Sequence, residues 1–344
     1  MKTKLKIFRN FLLFASLIFC TQNFKANAAQ PGIWGAGGNT FTMLYPEDSA
    51  SFKKIQMPRE QIFVQLYKGF AVVKGVYYFK NHSKEKLSFK MGYPVNGIFS
   101  GGSSSLNQIE IDSLSAFKIF SNGNPLSIVK QPQANDIGKF QSFSENWYVW
   151  QMDFLPEEIK KVEVFFIVST NSGGIRKGYS KAHYNAFVYL LESGSVWKNP
   201  IEKGDFYIQL KDGLSEKDVH GMSDNFNFQY NPATKIYWGI KQNLAPTPKD
   251  NLIITYFEKI ENFNFQNILG KSQNLENEIN QFSESDFQKL SFEKAKVKNP
   301  YEVSSLFSDA ISWLFALIFI IPGILLVALL IFVGYKILKK KKTE

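Results

Sequence analysis

The sequence predicts an all-β protein: an antiparallel β-sandwich, either one large unit or two packed subdomains, with a juxtamembrane helical stalk and one C-terminal transmembrane helix. Three observations carry that reading. From Thr40 to about Glu258 hydrophobic residues alternate with period two and are punctuated by turn residues, as half-buried strands require. Between residues 261 and 310 the composition turns polar, rich in Asn, Gln, Glu, Ser and Lys, with Leu275, Ile279, Phe282 and Leu290 at helical spacings. A charge-free apolar run then extends from Ile311 to about Val333.

At the N-terminus, Phe11 to Cys20 forms a short apolar stretch behind Lys2, Lys4, Lys6 and Arg9. It is too short to span a bilayer, and Ala26-Asn27-Ala28 places small residues at −3 and −1 for signal peptidase. Residues 1–28 are therefore read as a signal peptide cleaved before Ala29. Lipoprotein processing at Cys20 is the alternative, although it favours a small preceding residue where Phe19 stands.

The extracytoplasmic β region is assigned to residues 29–260. Leu87, Phe89, Met91 and Tyr93 fall on one strand face, and Phe70 to Phe79 is expected to pair with that strand across Asn81-His82-Ser83-Lys84. Val162, Val164, Phe166 and Val168 share a face after a turn at Leu155-Pro156-Glu157-Glu158. Asn122-Gly123 tolerates the positive φ of a two-residue hairpin turn, and Asn231-Pro232-Ala233-Thr234 separates two further strands. If there are two subdomains, their boundary falls within residues 131–144. Residues 261–310 read as a polar stalk, partly helical, that leans on the sandwich or on a partner, or else stands free as a mobile stalk; Ser272 and Asn274 are candidate caps.

Residues 311–335 form the expected membrane helix. At about 1.5 Å per residue the run reaches roughly 35 Å, enough to cross a hydrocarbon core of about 30 Å. Trp313 and Tyr335 stand near its ends, where amphipathic rings favour the interface. Lys339, Lys340, Lys341 and Lys342 fix the 336–344 tail in the cytoplasm and the mature N-terminus outside. Pro322 and Gly323 in mid-span read either as a tolerated kink or as a helix–helix contact.

Charge follows the same division. The chain carries 40 basic and 30 acidic residues, a formal +10. The leader through Ala28 holds five bases and no acids, and residues from Ile311 onward hold five bases and one acid. The outer region is thus left with 30 bases and 29 acids, which removes the argument for a nucleic-acid partner. The only cysteine, Cys20, lies in the leader, so neither disulfide nor thiol chemistry is expected in the mature domain. The chain's 33 phenylalanines and 15 tyrosines, most of them in that domain, supply the apolar surface instead.

No constellation for chemistry emerges. His82, His183 and His220 lie in separate segments without a zinc-type spacing, and no G-x-S-x-G elbow, P-loop or calcium loop is present. No catalytic residue, cofactor or metal is assigned. Gly35-Ala36-Gly37-Gly38 reads as a glycine-rich lead into the first strand. Trp147, Tyr148 and Trp150 form the densest aromatic run and are the candidate ligand-contact residues, with cross-strand packing as the competing role. Asn81-His82-Ser83 matches a glycosylation acceptor in form.

Several stretches taken in order resemble an exported bacterial family known only as domain of unknown function 4424. They are Gly37-Gly38, Val72 to Asn81, Met91-Gly92-Tyr93-Pro94, Trp150 to Phe154 with Pro156-Glu157, Tyr189 to Lys198, and Ile236-Tyr237-Trp238. The resemblance covers Gly32 to Glu258, implies an exported β-rich domain, and carries no catalytic residues. The functional expectation is a non-enzymatic, membrane-anchored ectodomain engaging an envelope protein or extracellular ligand. A glycan hydrolase and an accessory or sensor subunit of a membrane complex are the alternatives.

Overall fold

Alternating apolar residues give strands wherever the sequence carries them. The computed structural model describes residues 32–40, 49–100, 108–111, 114–132, 146–177, 180–191, 197–245 and 250–299, with 323, 329–330 and 332–333. The chain divides into two compact units, Met1–Pro300 and Tyr301–Glu344. In the first, the early strands are β1 (Gly32–Thr40), β2 (Ile55–Tyr67), β3 (Phe70–Asn81), β4 (Leu87–Pro94), β5 (Gly97–Ser100) and β6 (Gln108–Ile111). Next come β7 (Ser115–Ser121), β8 (Asn124–Pro125), β9 (Val129–Pro132), β10 (Asn146–Phe154), β11 (Ile159–Ser169), β12 (Gly174–Lys177) and β13 (Ser180–Leu190). The last are β14 (Ile201–Leu210), β15 (Val219–Met222), β16 (Gln229–Asn231), β17 (Ile236–Leu244), β18 (Leu252–Glu258) and β19 (Glu293–Lys294). Helices α1 (Ser49–Phe52), α2 (Phe265–Leu269) and α3 (Ser272–Ser283) complete the elements discussed below.

Among the described residues the strands form three sheets. A nine-stranded sheet has the order β19-β16-β17-β14-β2-β3-β11-β7-β8, a seven-stranded sheet β15-β18-β13-β12-β1-β6-β5, and a three-stranded sheet β4-β10-β9. The expectation of a wholly antiparallel sandwich is corrected to mixed sheets, because β14–β2, β1–β13 and β1–β6 pair in parallel. The cause is topological. β13 lies in the seven-stranded sheet, so the chain crosses between sheets before β14 docks beside β2, and a parallel pair needs a long connection of this kind where a hairpin would give an antiparallel one.

The expected β3–β4 hairpin is also corrected. β3 pairs with β2 and β11, whereas β4 pairs with β10. Residues after Asn81 form a corner that moves the chain from the nine-stranded to the three-stranded sheet, and Leu155–Glu158 brings it back. The two corners are stitched together: Asn81 N donates to Glu158 O at 3.0 Å and Glu157 N to Ser83 O at 3.4 Å. The buried Asn81 amide donates to Glu85 O and Leu155 O, both at 2.9 Å. With both of its N–H groups engaged, Asn81 is a structural residue and the glycosylation pattern is closed in the folded domain.

Two hairpins form where turn chemistry places them. Asn122 and Gly123 adopt φ of 47° and 82° between β7 and β8, as a primed turn requires. Asn231 accepts from Thr234 N and Oγ1 at 2.8 and 2.9 Å at the β16–β17 turn. β1 explains its glycines by close approach: a Cβ on Gly38 would lie 2.0 Å from Val188 O, and one on Gly37 2.3 Å from Ser169 O.

The nine-stranded sheet is buried on both faces. Ile62, Val64 and Leu66 of β2 and Val162, Val164, Phe166 and Val168 of β11 enter the core shared with the other sheets. Phe63, Tyr67, Phe165 and Ile167 face a second core on the opposite side. That second core is closed by residues expected to be a stalk. Leu275, Ile279 and Phe282 of α3 are buried on it, with Phe265, Phe287, Leu290 and Phe292 packed around them. β19 then pairs with β16, Ala295 enters the first core, and Met222 N donates to Lys298 O at 2.8 Å. Residues 261–299 are therefore part of the domain, because the second apolar face of the sheet needs a cover and only this amphipathic segment supplies one. The candidate caps are not used: α3 begins after Lys271 without a side-chain cap, while Asn264 caps α2 through Asn267 N at 3.2 Å.

The first core takes side chains from both sides of residues 131–144, with Phe52 and Phe89 before and Trp150 and Tyr256 after, so the described residues show no subdomain division there. The leader, the cleavage residues Ala26, Ala28 and Ala29, and the anchor residues Trp313, Pro322, Tyr335 and Lys339 to Lys342 lie outside the described residues. No helix among the described residues is long and apolar enough to cross a membrane.

Two outcomes follow from this packing. Ile279→Ala should lower unfolding free energy by about 2–5 kcal/mol in urea denaturation, because its methyls have no other route to burial. Gly38→Ala should abolish soluble, cooperatively folding material, since the new methyl meets the backbone of β13 rather than a movable side chain.

Candidate functional site

One acidic side chain stands inside the first core. On β2, Glu60 shares the inward face with Ile62, Val64 and Leu66, and its exposure is 0%. Its strand neighbours are Tyr77 of β3 and Gly204 of β14. Neither carboxyl oxygen has a hydrogen-bond partner among the described residues, and burial pushes its pKa up to about 8. The acid is thus held neutral at pH 7.

Beside it lies a cluster of three phenols. The Tyr77 hydroxyl is 3.0 Å from that of Tyr93 and 2.7 Å from that of Tyr189. These tyrosines belong to β3, β4 and β13, so one hydroxyl joins the nine-, three- and seven-stranded sheets. Burial pushes the Tyr77 and Tyr189 hydroxyls well above the ordinary phenol value, which keeps them neutral. Two glycines make room for these polar groups. A Cβ on Gly204 would come within 3.0 Å of Glu60 Oε1, and one on Gly75 within 2.2 Å of the Tyr77 hydroxyl. The result is a small polar centre inside an apolar sandwich, able to hold a proton but presenting no reacting group to a substrate in solvent.

The outer face treats charge differently. Asp205, 1% exposed, pairs with Lys203 at 3.0 Å and Arg59 at 3.5 Å and accepts from Trp238 Nε1 at 3.4 Å. Lys74 reaches Glu163 at 3.3 Å and donates to Asn280 Oδ1 at 2.8 Å and Ser283 Oγ at 3.0 Å. Burial would raise the Glu163 pKa, but Lys161 and Lys74 outweigh it and hold the carboxyl below its usual range. Lys118 pairs with Glu276, and Tyr67 donates to Glu278 at 3.1 Å. These bonds rim the apolar face of α3 and fix it to the sheet.

Strand alternation puts Tyr148 and Trp150 on one face of β10, both against Phe117, and Trp147 on the other. Trp147 and Trp150 are each 2% exposed, so neither offers a ring face to a soluble ligand. Trp150 lies 6.1 Å from Tyr93, and Tyr148, partly exposed, stacks on Phe117 at 4.8 Å. The structure therefore brings Trp150 beside the tyrosine centre and packs Tyr148 against Phe117 of the nine-stranded sheet, a contact between sheets and not across paired strands. His82 pairs with Gln56 at 2.7 Å, and burial first, then Lys198 and Lys80, lower its pKa. His220 packs against Tyr184 with ring centroids 4.3 Å apart and the planes tilted by 34°, and His183 stands on β13. Among the described residues no three potential ligands converge as a metal site. Gly323 is helical, and a Cβ there would have nothing within 4 Å.

Sequence reasoning missed Glu60, although a signal was present: in Glu60-Gln61-Ile62-Phe63-Val64 the acid has the same parity as residues that must face the core. The tyrosine junction has no such signal, because its three members are brought together only by sheet stacking.

No protein-family model matches the chain, and no curated protein matches it in sequence. Among solved structures it is similar to a protein of Legionella pneumophila provisionally described as nutrient-binding, at 17% identity and a TM-score of 0.45, over 66% of this chain and 72% of that one. It is also similar to a mutant M1 zinc metallopeptidase from Deinococcus radiodurans, at 9% identity and TM-score 0.30, over 59% of this chain and 42% of that one. Native yeast LTA4 hydrolase gives 9% identity and 0.33, over 62% and 31%. The chain spans less than half the length of the latter two proteins, and likenesses this distant carry no functional argument.

Removal of the shared hydroxyl tests the junction. Tyr77→Phe should cost about 1–3 kcal/mol of stability, because Tyr93 and Tyr189 each lose a buried partner. In a double-mutant cycle with Tyr189→Phe, the second substitution should cost less in the Tyr77→Phe background than in the wild type.

Proposed function

We propose that the chain is an exported, single-span membrane protein whose β domain is a non-enzymatic binding module outside the cytoplasm. In this reading it is a bacterial envelope protein of the kind that the domain-of-unknown-function resemblance implies. The observation that carries the membrane part is the state of Leu329, Leu330, Phe332 and Val333. These helical residues are 45–58% exposed in a unit separate from the β domain. Large apolar side chains repeated on a helix within a charge-free run are suited to lipid.

The binding part is supported by how the domain uses its polar groups. Asp205, Glu163, Glu276 and Asp250 are tied to lysines within the fold, and Glu60 is sealed in the core. Side chains committed in this way support a scaffold whose loops meet an envelope protein or an extracellular ligand. The expected partner is a protein of the same membrane or its periphery.

Membrane fractions carrying the full chain should retain it through an alkaline carbonate wash, and external protease should digest the β domain while sparing the 336–344 tail. Release by carbonate, or protection of the β domain, would overturn the anchored reading. Purification of the intact chain in mild detergent should bring down a stoichiometric envelope component. Recovery of the chain alone, together with cleavage of a glycan panel, would replace the binding reading with a hydrolase. Pro322→Leu separates anchor from subunit contact: an unchanged set of co-purifying proteins leaves the span as an anchor only.

A further inference from the structure

We propose that Glu60, set beside the Tyr77–Tyr93–Tyr189 junction, is a pH-sensitive lock: loss of its proton loosens the contact between the three sheets. The inference is independent of the anchored and binding readings, since it concerns the interior of the β domain alone.

Geometry supplies the argument. Glu60 sits on β2, a central strand of the nine-stranded sheet, between β3 and β14. It has 0% exposure and no hydrogen-bond donor on either oxygen among the described residues. A neutral carboxyl tolerates such a place at modest cost, whereas a bare carboxylate without donors or a counter-charge does not. The groups that face it are themselves neutral: Tyr77 from β3, and Tyr189 from β13 within its electrostatic reach. Tyr93 of β4 joins them through Tyr77, while β14 contributes Gly204 and Phe206. The nearest residue of opposite charge in sequence, Arg59, belongs to the other face of the strand, where it pairs with Asp205. No cation among these neighbours takes up the negative charge when it forms.

The sign of the effect follows from burial. Exposed in the unfolded chain, the carboxyl loses its proton near 4.5; inside the fold it keeps it to about 8. Between those values the native state binds one more proton than the unfolded state, so stability falls as pH rises through that window and levels off above it. Above about 8 the folded domain holds an ion that needs water. Water reaches it most directly if the sheets part, and they are joined beside Glu60 by the Tyr77 hydroxyl. The interface built around that hydroxyl is therefore where opening is expected.

The full chain in detergent micelles, compared with Glu60→Gln, tests this. Infrared titration of the wild type should show the C=O stretch of a protonated carboxylic acid persisting at pH 7 and lost by about pH 9–10; Glu60→Gln should lack that step. The wild-type unfolding midpoint should fall between pH 5 and 9 by roughly 5–15 °C more than that of Glu60→Gln. If the variant does not fold, the wild type still decides. Amide exchange in β2 and β4, corrected for intrinsic rates, should rise above pH 8 relative to β17. A carboxylate already ionised at pH 6, a variant with the wild-type pH slope, or unchanged exchange in β2 and β4 would each overturn the lock.

Discussion

The three sheets meet at one hydroxyl. Tyr77 is the point at which strands from all three sheets meet through hydrogen bonds rather than through apolar contact alone. Apolar packing is non-directional and permits neighbouring sheets to slide or rotate by small amounts. A buried hydrogen bond of 2.7 to 3.0 Å does not, because a displaced hydroxyl is left unsatisfied in a medium that penalises it. The junction thus restrains the relative placement of the sheets, together with the Tyr256 hydroxyl of β18, which donates to Tyr67 O and Phe70 O; the rings of Trp150 and Phe117 pack around Tyr93.

The second constraint is the double burial of the nine-stranded sheet. A central strand such as β11 presents Val164 and Phe166 to one core and Phe165 and Ile167 to the other, so both faces must be covered. The three- and seven-stranded sheets cover the inner face. The outer face is covered by α3, whose short apolar stripe is bordered by bonds from Lys74, Lys118 and Tyr67. The polar composition of residues 261–299 is therefore that of a surface helix and strap, with a polar side outward and a narrow apolar stripe inward.

How much of this was legible follows from the range of the interactions. Strands at Phe70, Leu87 and Val162 and the Asn122-Gly123 turn rest on contacts between near neighbours, and the sequence pattern locates them. Pairing is different. The tract from Phe70 was expected to turn back onto the Leu87 strand, yet the corner at Asn81 takes it to another sheet, and that choice depends on Leu155 and Glu158, more than seventy residues away in sequence. The parallel β14–β2 pair likewise depends on where β13 lies. The aromatic run at Trp147, Tyr148 and Trp150 stands out by density, but both of its indoles are buried, on opposite faces of β10. The apolar stripe of α3 was visible at Leu275, Ile279 and Phe282; what covered it was not, because that requires knowing that the sheet has a second apolar face.

Glu60 stands apart from every other buried acid described here. Asp205 and Glu276 are as deeply placed or nearly so, yet each has a lysine, and an ion pair of this kind is worth keeping because removing either partner strands the other. Glu60 has no such partner. A leucine at this position would satisfy its apolar surroundings without the desolvation penalty. The fold therefore bears two adjacent departures from local preference, an acid in a core and a glycine in a central strand that clears space for Glu60 and Phe206 alike. Local rules broken in concert mark functional or strained positions more often than packing errors. The group so accommodated is one that burial keeps protonated to about pH 8, so that its charge, and with it the stability of its surroundings, changes just above neutrality.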